Sequence, residues 1–165
     1  RAAFIEDESK LREGFLSALN DFGHGCDIAI FEKNVQNDKV SYLKSLGNSE
    51  AIPDVISGDD PWVLTLRDEE SMVIPSSNAS GLIPNRLFPQ FHRGELLGFV
   101  WIGSKTDGEN WRPDEESVLF FAVQQIGLDR YALEVSRLSK ELEREKMTTD
   151  LLKDIIKSNE IRSSV

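Results

Sequence analysis

The clearest hydrophobic pattern of the chain runs from Leu87 to Leu128. Two apolar segments flank Arg93-Gly94, and the second, Leu96–Ile102, is apolar on both faces. A short apolar run between turn residues predicts a strand that is covered on both sides of its sheet. We therefore expect a β-hairpin that turns at Arg93-Gly94 and lies inside a compact domain of strands and helices.

A strong helix start follows the hairpin. Pro113 stands at a favourable first helical position, and Asp114, Glu115 and Glu116 place negative charge in the first turn. The helix is predicted to continue through a long charged segment to about Asn159. A compact domain with such a helix attached suggests transmission of a signal more than catalysis.

The first 46 residues are predicted as helix, strand, turn and strand. Residues 5–22 form one amphipathic helix that ends at Gly23. Its apolar face consists of Leu11, Phe15, Leu19 and Phe22. The strands that follow are Cys26–Glu32 and Val40–Leu46, and they pair across a polar turn at Asn34–Asp38.

Residues 47–91 are less regular and contain five of the six prolines. Asp60-Pro61 reads as an N-cap and a first-turn proline, which predicts a short helix at Trp62–Asp68, although Val63 and Thr65 favour a strand. Met72–Ile74 is predicted as a short strand. Residues 75–86 have the composition of a loop that could cover one face of the sheet, and small ligands often bind under such loops.

The C-terminal helix carries a heptad pattern when Leu128 is placed at position a. Seven of the ten a and d positions are apolar, and Glu145, Thr149 and Asn159 are the exceptions. The pattern predicts a two-stranded coiled coil, since a lone charged helix cannot bury its apolar stripe. The residues expected at this dimer interface are Leu128, Tyr131, Val135, Leu138, Leu142, Leu152 and Ile156. A helix that folds back on its own domain is the alternative.

The net charge of −10 lies entirely on residues 1–128, because residues 129–165 carry eight basic and eight acidic side chains. An acidic domain does not favour binding to nucleic acid or docking to an anionic membrane. There is one cysteine, so no disulfide framework is expected, and no apolar run approaches the length of a membrane span. We expect a cytoplasmic protein, with the soluble part of a membrane-anchored signalling protein as the alternative. The chain begins without methionine, which suggests a piece of a larger protein.

The order of the predicted elements resembles the GAF domain family over about residues 5–132. The run Gly94–Ile102, GELLGFVWI, is similar to the typical GAF sequence of a turn glycine, two apolar residues, a glycine and an apolar strand. The segment from Trp111 through Pro113–Glu116 to Gln124 resembles the final helix of that family. PAS-like sensor folds are the next alternative.

The resemblance implies an α+β fold with a central antiparallel sheet of five or six strands. In the family, the first and last helices pack on one face and often form a dimer contact, while short helices and loops close the other face over a small ligand. Residues 1–128 would then be the GAF-like sensor domain, and residues 129–165 the coiled-coil helix and tail. Such a chain would be the non-enzymatic input module of a multidomain signalling protein.

The family subtypes can be compared with these residues. No NKFDE-type signature is present, so a cyclic nucleotide is not expected. Bilin-binding members use a cysteine late in the domain, whereas Cys26 begins the first predicted strand. His24 and His92 read as ordinary residues more than as haem ligands. Neither a bilin nor a haem is therefore expected. The histidines and the cysteine also lack the spacing of a metal site.

Large and polar side chains in the middle region are the candidates for a ligand pocket. They are Trp62, Leu66, Arg67, Ile74, Leu82, Arg86, Phe88, His92 and Trp101. Each of them could equally be an ordinary core or surface residue. Two functions therefore remain: a ligand-responsive sensor, or a ligand-free dimerisation and relay module. A cysteine enzyme built on Cys26 and His24 comes third.

Overall fold

A computed structural model describes residues 9–10, 13–19, 21, 26–75 and 84–163, with side chains described as far as residue 160. Residues 9–10, 13–19 and 21 are helical and form the described parts of α1. The remaining elements are β1 (Ile28–Gln36), β2 (Lys39–Gly47), β3 (Val55–Ser57), α2 (Pro61–Glu69), β4 (Arg86–His92), β5 (Glu95–Ile102) and α3 (Pro113–Ser163).

The five strands form one antiparallel sheet in the order β3-β2-β1-β5-β4. β1 and β5 occupy the centre, where Ala29 lies opposite Trp101 and Ile30 opposite Val100. Both central strands are buried on their two faces over these residues. The prediction of a central antiparallel sheet with flanking helices is therefore confirmed.

Two-residue turns close both hairpins. Arg93 and Gly94 have φ angles of 51° and 77°, and Asn37 and Asp38 have φ angles of 52° and 62°. Positive φ at both central residues matches the right-handed twist of the flanking strands. The predicted turn at Arg93-Gly94 is confirmed.

The predicted limits of the first hairpin are wrong. β1 does not end at Glu32 but continues to Gln36, so the turn is shorter than the predicted Asn34–Asp38. Lys33, Asn34 and Val35 pair with Tyr42, Ser41 and Val40. The sequence suggested a loop because these residues are largely polar, yet the projecting end of a hairpin can be solvated while its backbone stays paired.

The middle region contains the predicted short helix. Asp60 caps α2, with its Oδ1 accepting a hydrogen bond from the backbone N–H of Trp62 at 2.9 Å. The strand predicted at Met72–Ile74 is wrong, because Val73 makes an isolated bridge with Leu87 instead. β3 was not predicted, since a three-residue strand is too short to show alternation.

The sheet separates two hydrophobic clusters, one on each of its faces. Because successive side chains of β5 point to opposite faces, its residues contribute to the two clusters in turn. Phe99 and Trp101 point to the side that α2 covers, here called the α2 face. Val100 and Ile102 point to the side that α1 and α3 cover, here called the helix face. On the α2 face, the rings of Phe31 and Phe99 stack with centroids 5.0 Å apart.

The N-terminal helix packs on the helix face through Phe15 and Leu19, which are both buried. This agrees with the predicted apolar face as far as it is described. Leu11, Phe22 and the predicted stop at Gly23 lie outside the described residues.

α3 begins on the helix face and leaves the domain without a break. It spans 51 residues, a length of about 76 Å at 1.5 Å per residue. It passes straight through the predicted domain boundary at residues 128 and 129, and every residue from 142 to 160 is exposed. Within the described part of the chain, no helix is both long and apolar enough to cross a membrane.

Candidate functional site

The sheet divides the predicted pocket residues between its two faces. Trp62, Leu66 and Trp101 meet on the α2 face, where Leu66 and Trp101 are fully buried. Arg67 lies nearby at the edge of the same face. These four are the candidates that the structure brings together.

The other candidates lie elsewhere. Phe88 is buried in the cluster on the helix face, and Arg86 and His92 contact α3 from the same strand. Ile74 is 60% exposed. Leu82 lies outside the described residues. Sequence reasoning could not separate these residues, because the direction of a side chain on β4 depends on the register of the sheet.

Side chains fill the α2 face over the described residues. The ring of Trp62 meets that of Trp101 edge-on, with centroids 5.9 Å apart. The Tyr42 hydroxyl donates to the carbonyl oxygen of Leu96 at 3.2 Å, and burial raises the pKa of Tyr42. The indole nitrogen of Trp101 is buried and has no hydrogen-bond partner.

A small crevice opens at the edge of the α2 face, beside the turn between β4 and β5. Its volume is about 240 Å³, below the range of roughly 300–1,000 Å³ that is usual for ligand pockets. Its lining residues are Lys33, Val40, Tyr42, Arg67, Arg93, Gly94, Glu95 and Leu96.

Polar contacts fasten α3 to β4 across the helix face. Gln90 Nε2 donates to the carbonyl oxygen of Val123 at 3.1 Å, and Gln124 hydrogen-bonds both backbone groups of Phe91. The ring centroids of His92 and Tyr131 lie 4.2 Å apart. Tyr131, predicted at the dimer interface, therefore contacts its own domain.

A larger cleft lies where α3 leaves the sheet, and we call it the charged crevice. It has a volume of about 480 Å³. β1, β5 and α3 contribute its lining residues, which are Glu32, Lys33, Val35, Glu95, Leu97, Arg130, Tyr131, Glu134 and Arg137. An ion pair between Arg130 Nη1 and Glu32 Oε1, 3.0 Å long and largely buried, joins the helix to the sheet.

Apolar side chains lie exposed along the outer surface of α3. Phe121 is 70% exposed and stands one heptad before Leu128, so the apolar stripe begins inside the domain. Val135, Leu138, Leu142, Leu152 and Ile156 continue it as exposed a and d residues. Leu128 is partly buried. Sequence reasoning missed Phe121 because the start of the helix was assigned to the domain core.

The free thiol of Cys26 is buried at the start of the sheet. Burial raises its pKa from 9.0 to about 11, so the reactive thiolate is scarce near neutral pH. His24, its proposed partner, lies outside the described residues. Among the residues that the structure describes, no group of His, Cys, Asp and Glu side chains is placed to hold a metal ion.

Known structures share this architecture although their sequences are distant. No family model and no curated protein matches the sequence. A GAF domain/HD domain protein from Geobacter sulfurreducens has a TM-score of 0.63 at 12% identity, over 82% of this chain and 99% of that chain. The PixJ GAF domain of Thermosynechococcus elongatus, in its blue-light absorbing form, has a TM-score of 0.59 at 13% identity, over 86% and 95%.

A third similar structure is the GAF domain of a two-component sensor histidine kinase from Bacillus halodurans. It has a TM-score of 0.57 at 12% identity, over 78% of this chain and 96% of that chain. The chain therefore has the GAF-domain fold, which confirms the resemblance at the level of structure.

Proposed function

We propose that this chain is a regulatory relay domain without catalytic activity, and that two copies pair along α3. This proposal rests on the exposed apolar stripe of α3, in which Val135 is 47% exposed and Leu142 is 67% exposed. Apolar residues repeated along a projecting helix need cover, and a second copy of the same helix offers a matching stripe.

The contacts within the domain support a relay through this helix. Gln90, Gln124 and the Arg130–Glu32 ion pair fix α3 to the sheet at three points. A change in the sheet would therefore shift the helix, and the paired tails would carry that shift away from the domain. Among structures of the same fold, one is named as part of a two-component sensor histidine kinase.

A test of the pairing is the double substitution Leu138→Asp and Leu142→Asp. We expect it to convert the dimer to a monomer in light scattering while circular dichroism of the sheet is unchanged, because two charges would face the partner's apolar stripe. The matched control is Met147→Asp with Leu151→Asp. These are also exposed apolar residues, but they lie at positions f and c, away from the seam.

Two outcomes would contradict this interface. If the Leu138 and Leu142 variant remains a dimer, the contact lies elsewhere, for example through the N-terminal helix. If the control variant also becomes a monomer, the heptad register is wrong.

Crosslinking distinguishes the direction of the two helices. In a parallel pair in register, Leu142→Cys places two thiols across the seam within disulfide reach. Leu142→Cys should then crosslink on mild oxidation, and Met147→Cys should not. An antiparallel pair would leave both variants uncrosslinked.

A second candidate is a sensor that binds a small molecule on the α2 face. The buried indole N–H of Trp101 favours it, because an unpaired buried donor costs about 1–3 kcal/mol. A ligand acceptor would satisfy that donor. In contrast, the side chains of Trp62 and Trp101 fill this face, which favours the ligand-free relay. A rise in melting temperature with one member of a metabolite library, lost in Arg67→Gln, would support the sensor.

A further inference from the structure

We propose that the charged crevice binds a small zwitterion that carries a carboxylate and an ammonium group, such as a free α-amino acid. The crevice lies where α3 leaves the sheet, outside the core that Trp62 and Trp101 fill, and it shares Lys33 and Glu95 with the small crevice at the edge of the α2 face. Its volume of about 480 Å³ falls within the usual range of roughly 300–1,000 Å³ for ligand pockets.

The signs of the lining charges identify the class of ligand. Three carboxylates and three cationic groups face the crevice, so its formal charge is zero. The acidic residues are Glu32, Glu95 and Glu134, and the basic residues are Lys33, Arg130 and Arg137. A simple anion would meet three carboxylates, and a simple cation would meet three positive groups. A zwitterion can pair with both signs.

Ion pairs within the described part of the chain hold four of these groups, and of the other two only Arg137 has an ionic partner, in a weak and partly exposed pair. Arg130 is held by Glu32 at 3.0 Å, and Lys33 pairs with Glu95. Glu134 makes no ion pair with another residue in the described part of the chain.

Arg137 lies 3.6 Å from Glu141 in a contact that is partly exposed. Such a pair contributes little and can exchange partners. Because Glu134 and Arg137 stand three residues apart on one helix face, they present opposite charges side by side.

Arg130 supplies a second, independent observation. Its side chain is nine-tenths buried, yet its Nε has no hydrogen-bond partner. A guanidinium can bind a carboxylate through two parallel hydrogen bonds. A ligand carboxylate beside Arg130 and Arg137 would offer an acceptor to the guanidinium of Arg130.

The apolar lining residues of the crevice indicate which uncharged group the ligand carries. Val35, Leu97 and the ring of Tyr131 form its apolar part, which suits a short hydrocarbon side chain. Since the site bridges β1, β5 and α3, a bound zwitterion would fix the helix against both hairpins. The effect on the paired tails rests on the proposed relay function, whereas binding itself does not.

The test is an NMR titration of the full chain with each of the common α-amino acids. At least one should give saturable shifts of backbone amides in residues that line the crevice, up to about 10 mM ligand, a range that includes weak sites. The N-acetyl derivative and the amide of that amino acid should each bind about tenfold more weakly, because each lacks one charge.

Matched variants locate the site. Glu134→Gln and Arg137→Gln should weaken binding of the same amino acid about tenfold, and Glu143→Gln, on the same helix but outside the crevice, should not. The titration is repeated on the Leu138→Asp and Leu142→Asp variant. Binding retained in a monomer would uphold the site, and light scattering reports the relay interface separately.

Three results would overturn the proposal. The first is the absence of a saturable shift with every amino acid tested. The N-acetyl derivatives could bind as well as the free amino acids, which would make the crevice a simple anion site. The shifts could instead cluster around Trp62 and Trp101, which would place the ligand on the α2 face.

Discussion

Gln124 of α3 hydrogen-bonds both backbone groups of Phe91 in β4: the Phe91 N–H donates to Oε1 at 3.0 Å, and Nε2 donates to the Phe91 carbonyl oxygen. β4 is an edge strand, and its pairing with β5 shifts register between Gln90 and Phe91. The side-chain amide thus takes the place of a neighbouring strand at this irregular point. It ties the long helix directly to the hairpin.

Gln124→Ala should lower the free energy of unfolding by about 1–3 kcal/mol, because it leaves two backbone groups of Phe91 without their partner. The matched control is Gln125→Ala, where the exposed side chain bonds Asp129 on the same helix. That change should stay within about 0.5 kcal/mol. Urea unfolding at a fixed protein concentration measures the free energy of unfolding of both variants. Equal losses of stability in the two would contradict a special role for Gln124.

Gly98→Ala should destabilise the centre of the sheet. An added Cβ would approach the carbonyl oxygen of Phe31 to 2.3 Å, so the central strands would have to separate, at a cost of about 1–3 kcal/mol. Gly14→Ala offers the opposite case, since nothing lies within 4 Å of its added Cβ on α1. It should raise stability by about 0.5–1 kcal/mol. Thermal unfolding compares the two, and a neutral Gly98→Ala would disprove the close approach.

Glu115 should make the stability of the domain depend on pH. Its Oε1 accepts hydrogen bonds from Lys105 Nζ at 2.7 Å and from the backbone N–H of Arg112 at 3.0 Å. Chiefly through Lys105, these contacts lower the pKa of Glu115 from its ordinary 4.5. The stabilisation is present well above pH 4.5 and is lost as pH falls through the lowered folded-state pKa.

Glu115→Gln should therefore cost about 3 kcal/mol at neutral pH, because the ammonium of Lys105 stays buried without its charge partner. The loss should shrink as the pH falls toward 3. Asp114→Asn, an exposed carboxylate in the same first turn, is the control and should change stability much less. Urea unfolding over a series of pH values tests this, and parallel curves for the wild type and Glu115→Gln would refute it.

Trp62→Ala should open a cavity beside Trp101 on the α2 face. Trp62 is partly buried, so we expect a loss of about 2 kcal/mol, less than for a fully buried tryptophan. Added indole should then raise the melting temperature of the variant and leave the wild type unchanged, since only the variant has room for it. Leu64→Ala, an exposed position on the same helix, is the control. An equal response of the wild type to indole would mean that this face is already open.

The sequence by itself determined the elements whose signals are local. The apolar run of β5, the turn at Arg93-Gly94, the cap at Asp60 and the charged start of α3 depend on neighbouring residues, and each appears as predicted. The resemblance to the GAF fold rested on the same stretch, because turn glycines and apolar strands encode backbone geometry.

Only the tertiary structure decided which residues share a site. A shift of one residue in strand register moves a side chain to the other face of the sheet, so Phe88 and Trp101 could not be separated beforehand. The charged crevice likewise joins Glu32 to Arg130, nearly a hundred positions apart in the chain. Such pairings depend on how a helix docks on a sheet, and no local pattern in the sequence records that docking.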